Sequence, residues 1–166
     1  MKKVGFFGGS FDPIHFGHLQ LAVELLESGL DEILFCPAYC SPFKIKEPPI
    51  EGRHRLEMIR RAIFEIPNCR VTAIELERKE PSFTVDTLRM LNHDVQYRLI
   101  LTEESAKHLD KWKEPEEIVR MAPPIIGKRI FPISSTEIRA RLKKKLYCGH
   151  LVPKVALDYI EEHELY

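Results

Sequence analysis

One stretch near the start of the chain concentrates residues suited to holding an anion: Gly8-Gly9-Ser10-Phe11-Asp12-Pro13-Ile14-His15-Phe16-Gly17-His18. Adjacent glycines let a backbone come close to a ligand. Where such a turn feeds a helix, the unpaired amides and the positive dipole end favour a phosphate. His15 and His18, three residues apart, would share one face at the helix start and donate hydrogen bonds to phosphate oxygens. Charge that grows on oxygen during phosphoryl transfer would meet them. Taken singly these signals are weak, since Gly-Gly and Asp-Pro are ordinary turn chemistry and a His pair can be half of a metal site. Placed together on a strand, turn and helix, they specify a nucleotide phosphate site. It is not a Walker loop, because no Gly-Lys-Ser/Thr follows.

A second cluster lies at Ile133-Ser134-Ser135-Thr136-Glu137-Ile138-Arg139. Ser134 with Glu137 three residues on forms a capping box for a helix through Leu142. Capping accounts for Ser134 and Glu137 but not for Arg139, whose planar fork of donors one turn into the helix suits a phosphate.

The elements that must position these groups follow from hydrophobic periodicity. Residues 4–7, 33–36, 71–74 and 97–101 are short runs rich in β-branched and aromatic side chains, and they read as strands. Between them Leu19, Ala22, Val23 and Leu26, and then Leu56, Ile59, Ile63 and Ile66, repeat at helical spacing. Pro153 suits the first turn of a last helix carrying Ala156, Tyr159 and Ile160. This βαβα order implies an α/β fold, a Rossmann-like doubly wound parallel sheet whose ligand site lies beyond the carboxyl ends of the strands. The first β-to-α loop is then the place for a ligand, and the Pro- and Lys-bearing stretch 42–49 reads as a long loop able to cover it. Arg53, His54 and Arg55 begin the second long helix, where they could face the same pocket, and they are read as its solvated face.

Composition bounds the rest. A chain of 166 residues with 44% hydrophobic and 30% charged residues is a single domain spanning 1–166, large enough to hold a core without disulfides. The 25 basic residues balance 25 acidic ones, which argues against nucleic acid or an anionic membrane as a partner. No apolar run approaches a membrane span or a signal-peptide core, so a cytoplasmic protein with reduced thiols is expected. The sharper alternative for the cysteines is a zinc site of Cys36, Cys40, Cys148 and His150, although these spacings match no zinc knuckle. A homo-oligomer is allowed and not required.

Gly9-Ser10-Phe11-Asp12-Pro13 with His15-x-Gly17-His18 resembles the HxGH nucleotidyltransferase superfamily, which joins a mononucleotide to a phosphorylated acceptor and releases pyrophosphate. Ile133 to Arg139 resembles its second phosphate motif. Pro42-Phe43-Lys44, the run Pro81 to Leu88, and the closing Leu151-Val152-Pro153 with Tyr159 to His163 are similar to bacterial nicotinate-nucleotide adenylyltransferases, nearly end to end.

The resemblance implies the HxGH nucleotidyltransferase fold and transfer of AMP from ATP to a pyridine mononucleotide, nicotinate mononucleotide, with Mg²⁺ carried by the triphosphate and no protein metal cage. It implies catalytic roles for His15, His18 and Lys44. ATP would be held by Gly8, Gly9, Ser10, Phe11, His15, His18, Ile133, Ser134, Ser135 and Arg139, and the acceptor by Asp12, Lys44, Phe83, Thr84 and Trp112. Three features differ from the family pattern. Leu101-Thr102-Glu103 stands where Gly-Ala-Asp is usual, residues 121–130 form a shorter segment, and Phe83 replaces a Tyr. Two alternatives stay open on sequence alone: a sister transferase acting on phosphopantetheine or nicotinamide mononucleotide, and a nucleotide-binding module without catalysis.

Overall fold

The computed structural model describes residues 1–43, 46–91, 93–128 and 131–166. Its elements are β1 (Lys3–Gly9), α1 (Phe16–Glu27), β2 (Glu32–Pro37), α2 (Gly52–Ile63), β3 (Cys69–Val71), α3 (Ile74–Arg78), α4 (Thr84–Met90), β4 (Gln96–Thr102), α5 (Glu103–Ala106), α6 (Pro115–Met121), β5 (Pro124–Gly127), α7 (Ser135–Lys143) and α8 (Lys154–Glu162). The five strands form one sheet in the order β3-β2-β1-β4-β5, and every pairing is parallel. This is the doubly wound fold expected from the alternation of strands and helices.

The strand pleat divides the core in two. Phe7, Ile33, Phe35 and Ile100 face one layer, where they pack with α1, α2, α7 and α8 through Leu25, Ile59, Ile138 and Ile160. Val4, Phe6, Leu34 and Leu99 face the other, against Val85 and Leu88 of α4 and Ile118 of α6. Phe6 and Phe7, adjacent in sequence, therefore anchor opposite faces, as the two-residue period of a strand requires. At about 25 cal/mol per Å² of apolar surface removed from water, this two-sided burial is the main stabilising term of the fold.

Several sequence expectations need correction. The third strand is Cys69–Val71, because Ile74 starts α3: its amide bonds the Thr72 hydroxyl at 3.3 Å, and the Ala73 carbonyl accepts from Glu77. A fifth strand, β5, lies inside the segment 121–130 and begins on a proline, which an edge strand tolerates. The buried face of α1 is Leu19, Leu21, Ala22 and Leu25, with Val23 and Leu26 half-buried. In α2 the buried residues are Arg55, Met58, Ile59 and Ile63, and Ile66 falls beyond the helix end. Ser134 is the N-cap residue of α7, but its side chain makes no capping bond, so the expected capping box is not formed. The hydroxyl of Ser135 instead reaches across the fold, as described below.

Candidate active site

β1 is the central strand, paired with β2 on one side and β4 on the other, and the order of the chain reverses there. The loop leaving it therefore opens into the crevice at the switch point, where doubly wound sheets bind ligands. β1 ends at Gly9, Asp12 and Pro13 form the turn, and α1 begins at Phe16 with His15 as its N-cap residue.

The two histidines meet at this helix start. Their rings stack with centroids 3.6 Å apart and planes 20° from parallel. The backbone N–H of His15 donates to Nδ1 of His18 at 3.2 Å. A neutral imidazole whose Nδ1 accepts carries its proton on Nε2, so His18 is preset as an Nε2–H donor. Phe7 and Phe11 hold the other flank of the His18 ring, edge-on at 5.9 and 4.9 Å between centroids. Phe11 reaches this position from a left-handed backbone, φ +48°, a conformation that costs a side chain about 1 kcal/mol or more and persists where the surroundings impose it. Gly17 makes the stacking possible. A Cβ there would sit 3.0 Å from Cε1 and 3.1 Å from Nδ1 of His15.

Beneath the loop lies a set of donors that draw its carbonyls inward. Arg55 is only 1% exposed and gives one hydrogen bond to the Ser10 carbonyl at 2.8 Å, one to Ile50 at 2.8 Å and a longer one to Tyr39 at 3.4 Å. Burial lowers its pKa, while Asp12 and other groups around it favour the charge. Arg139 donates through Nη1 to the Asp12 carbonyl at 2.7 Å, and the Ser135 hydroxyl donates to the Pro13 carbonyl at 2.9 Å. In a trans peptide the N–H points opposite the C=O, so pulling the Ser10 and Pro13 carbonyls inward turns the amides of Phe11 and Ile14 the other way. Asp12 itself is 6% exposed. One of its carboxylate oxygens accepts from the Tyr166 hydroxyl at 2.5 Å and the other lies 3.7 Å from Nη1 of Arg139.

Arg55 is therefore no part of a solvated face and belongs to the pocket side, the reading set aside for it in the sequence, while Tyr166 carried no signal there. For Arg55 a signal was present. It falls four and eight residues before Ile59 and Ile63, on the apolar stripe of α2. Arg53 is exposed as expected, while His54 is half-buried with Nδ1 2.9 Å from the Tyr159 hydroxyl of α8.

The structure gathers Gly8, Gly9, Ser10, Phe11, Asp12, His15 and His18 with Ser135 and Arg139 around one loop, and Ile133 packs in the same core layer as Phe11. Phe83 and Thr84 stand at the start of α4, both half-buried. Lys113, next to Trp112, places its Nζ 5.1 Å above the Phe83 ring and pairs with Asp86 at 2.8 Å. Trp112 packs at the rim of the second core layer. Lys44 lies outside the described residues. At the end of β4, the Thr102 hydroxyl accepts from the Ser105 amide at 3.2 Å and caps α5. Among the described residues no three His, Cys, Asp or Glu side chains gather as metal ligands, so Cys36, Cys40, Cys148 and His150 do not form the alternative zinc site. A surface groove between α2 and α8, with Phe64 and Val155 in its lining, shares no residue with the loop between β1 and α1. No helix among the described residues is long and apolar enough to cross a membrane.

A parallel sheet ordered 3-2-1-4-5, with a glycine turn running from its first strand into a paired-histidine helix start, defines a nucleotidyltransferase, and the profile of the cytidylyltransferase-like family matches residues 6–141. Two curated relatives cover the whole chain. A probable nicotinate-nucleotide adenylyltransferase of Bacillus pumilus is 36% identical over 187 aligned positions, covering 100% of this chain and 99% of the relative. The nicotinate-nucleotide adenylyltransferase of Bacillus subtilis gives the same identity and coverage. The chain belongs to the nicotinate-nucleotide adenylyltransferase family. Solved structures agree on the fold. A putative nicotinate-nucleotide adenylyltransferase of Vibrio parahaemolyticus superposes with a TM-score of 0.82 at 18% identity, covering 100% of this chain and 96% of that one. The Plasmodium falciparum nicotinic acid mononucleotide adenylyltransferase complexed with NaAD gives 0.77 at 20% identity, with 100% and 98% covered.

Proposed function

We propose that this chain transfers AMP from ATP to nicotinate mononucleotide, giving deamido-NAD and pyrophosphate, a step of NAD biosynthesis. The observation that carries the reading is the stacked His15–His18 pair at the start of α1, with Nδ1 of His18 held by a backbone amide. The acceptor phosphate attacks the α-phosphorus of ATP in line, one P–O bond forms, and the bond to the pyrophosphate oxygen breaks. A phosphate dianion attacks without a protein nucleophile or general base, so the protein's part is positioning and charge stabilisation. His18 donates Nε2–H to the α-phosphate oxygens as charge builds there. His15 and Lys44 serve the neighbouring phosphates. Gly8, Gly9, Ser10 and Phe11 with the outward-turned loop amides hold the triphosphate, Ile133 and Ser134 border it, and Ser135 and Arg139 receive the leaving pyrophosphate. Phe83, Thr84 and Trp112 hold the acceptor, and Asp12 supports that side of the loop.

Nucleotidyltransferases of this kind generally use a divalent metal. Mg²⁺ suits this site as a companion of the triphosphate, because Asp12, the one carboxylate of the loop, is already engaged by Tyr166 and Arg139. When bound, such an ion neutralises phosphate charge and keeps several waters. The four free thiols support a reducing, cytoplasmic setting.

The test is pyrophosphate release with ATP and Mg²⁺, comparing nicotinate mononucleotide, nicotinamide mononucleotide and phosphopantetheine, with product masses determined. Turnover confined to the nicotinate acceptor is expected. Loss of one transition-state donor costs about a hundredfold or more in kcat, the expectation for His18→Ala. A folded His18→Ala protein with near-normal turnover would overturn the assignment, and turnover with another acceptor would overturn the substrate.

A further inference from the structure

Asp12 is a buried carboxylate shared by two donors from distant parts of the chain, and the two contacts are unequal. The Tyr166 hydroxyl takes one oxygen at 2.5 Å, whereas Arg139 stands 3.7 Å from the other and spends its shorter bond on the Asp12 carbonyl. An arginine beside a free carboxylate closes onto it with two parallel N–H···O bonds. Here the Tyr166 bond fixes how the carboxylate is turned, and in that orientation its other oxygen stands 3.7 Å from Arg139, too far for that closure.

We propose that Tyr166 is a positioning residue of the phosphate site: by fixing the orientation of the Asp12 carboxylate it keeps the Arg139 guanidinium from closing onto it and leaves that guanidinium for the pyrophosphate end of ATP. The inference rests on the functional reading above and adds a residue from beyond α8 to it. The phenol suits the task. Burial, and then the bond to Asp12, hold its pKa well above the usual tyrosine value, so it stays a donor across the working pH range. Its ring packs against the first core layer together with Leu165, which fixes where the hydroxyl points. Arg55 supplies a second positive charge near the Asp12 side chain.

The test is Tyr166→Phe, which removes one oxygen and keeps the ring in the core. With Tyr166 absent from the carboxylate, Arg139 closes onto Asp12 and is lost to the ligand. The expected result is a rise in KM for ATP and in the inhibition constant for pyrophosphate of about tenfold, the size of one charge-assisted hydrogen bond. The KM for nicotinate mononucleotide should stay within twofold. A merely structural tyrosine would lower the melting temperature and the active fraction while leaving both KM values alone. Calorimetric binding of MgATP gives a readout independent of turnover. On an Arg139→Ala background, Tyr166→Phe should add no further loss, because both act through one group. Wild-type kinetics in Tyr166→Phe, or losses that multiply in the double variant, would overturn the proposal. An inactive wild-type protein would instead refute the functional reading.

Discussion

Replacing Arg55 by methionine tests whether the loop between β1 and α1 is held from beneath. The guanidinium makes two good hydrogen bonds, to Ser10 and Ile50 at 2.8 Å each, and a weaker one to Tyr39. A hydrogen bond from a charged donor contributes about 1.5–3 kcal/mol, so the two good ones sum to roughly 3–6 kcal/mol. Against this stands the cost of keeping a guanidinium out of water, visible in the downward pull of burial on its pKa. Methionine removes that cost while leaving two carbonyls without their partner, and a net loss of about 3 kcal/mol follows. In a domain of this size each kcal/mol moves the melting temperature by about 2–4 °C, so Arg55→Met should melt about 6–12 °C lower. Lysine keeps the charge but lacks the fork that serves three carbonyls at once, and Arg55→Lys should recover less than half of the loss. Thermal unfolding followed by circular dichroism gives the stability, and calorimetric titration with MgATP gives the affinity, expected to weaken about tenfold as the loop amides lose their orientation. A melting temperature within about 1 °C of wild type, with unchanged ATP binding, would refute this account of the loop.

Three further outcomes follow from the same geometry. Gly17→Ala places a methyl 3.0 Å from the His15 ring and must push it off His18; kcat should fall about tenfold while the melting temperature holds or rises, and an unchanged kcat would remove Gly17 from the argument. Burial, and then Arg53 beside it, lower the pKa of His54, so the unfolded chain takes up a proton there before the folded one does. Stability should therefore decline as pH falls below about 6.5 and be unaffected above it, and His54→Asn should flatten that slope in urea titrations between pH 5 and 7.5; equal slopes would contradict this. Cys36 and Cys148 are buried and burial, with Glu32, pushes the Cys69 thiol up to about 11, so a disulfide-exchange reagent at pH 8 should modify Cys40 first and Cys40→Ser should abolish the fast phase.

The strand, turn and helix start of the candidate site were legible in the sequence, because their pattern is local. Gly8 to His18 is one unbroken strand, turn and helix start, and the spacing of His15 and His18 alone brings their side chains together. The supporting half was not, because Arg55, Arg139 and Tyr166 stand 45, 127 and 154 residues away from the loop positions that they bond. Arg139 was found through a motif. Arg55 was hidden by its neighbours Arg53 and His54, since three basic or polar residues at a helix start look solvated unless the stripe through Ile59 and Ile63 is traced back one turn. Tyr166 sits beyond the last helix, where no periodicity speaks. In the fold, the central strands were readable from their apolar runs, whereas β3 and β5, three and four residues long at the sheet edges, carry too little pattern to be bounded. The Ser134 hydroxyl shows the limit of capping rules: a local bond was available, and its neighbour Ser135 made the long-range one.

The loop's dependence on partners so far along the chain has a consequence for when activity appears. Contacts spanning 122, 127 and 154 residues close late, because each must first meet the entropy of closing a long loop. β1 and α1 can pair and pack early, yet the Asp12 and Pro13 carbonyls of the turn between them find their donors only after α7 has docked, and the Asp12 carboxylate finds Tyr166 only after the segment beyond α8 has. During synthesis, then, the nucleotide site should be silent until nearly all of these residues have left the ribosome, and in refolding the recovery of ATP binding should trail the recovery of helical signal.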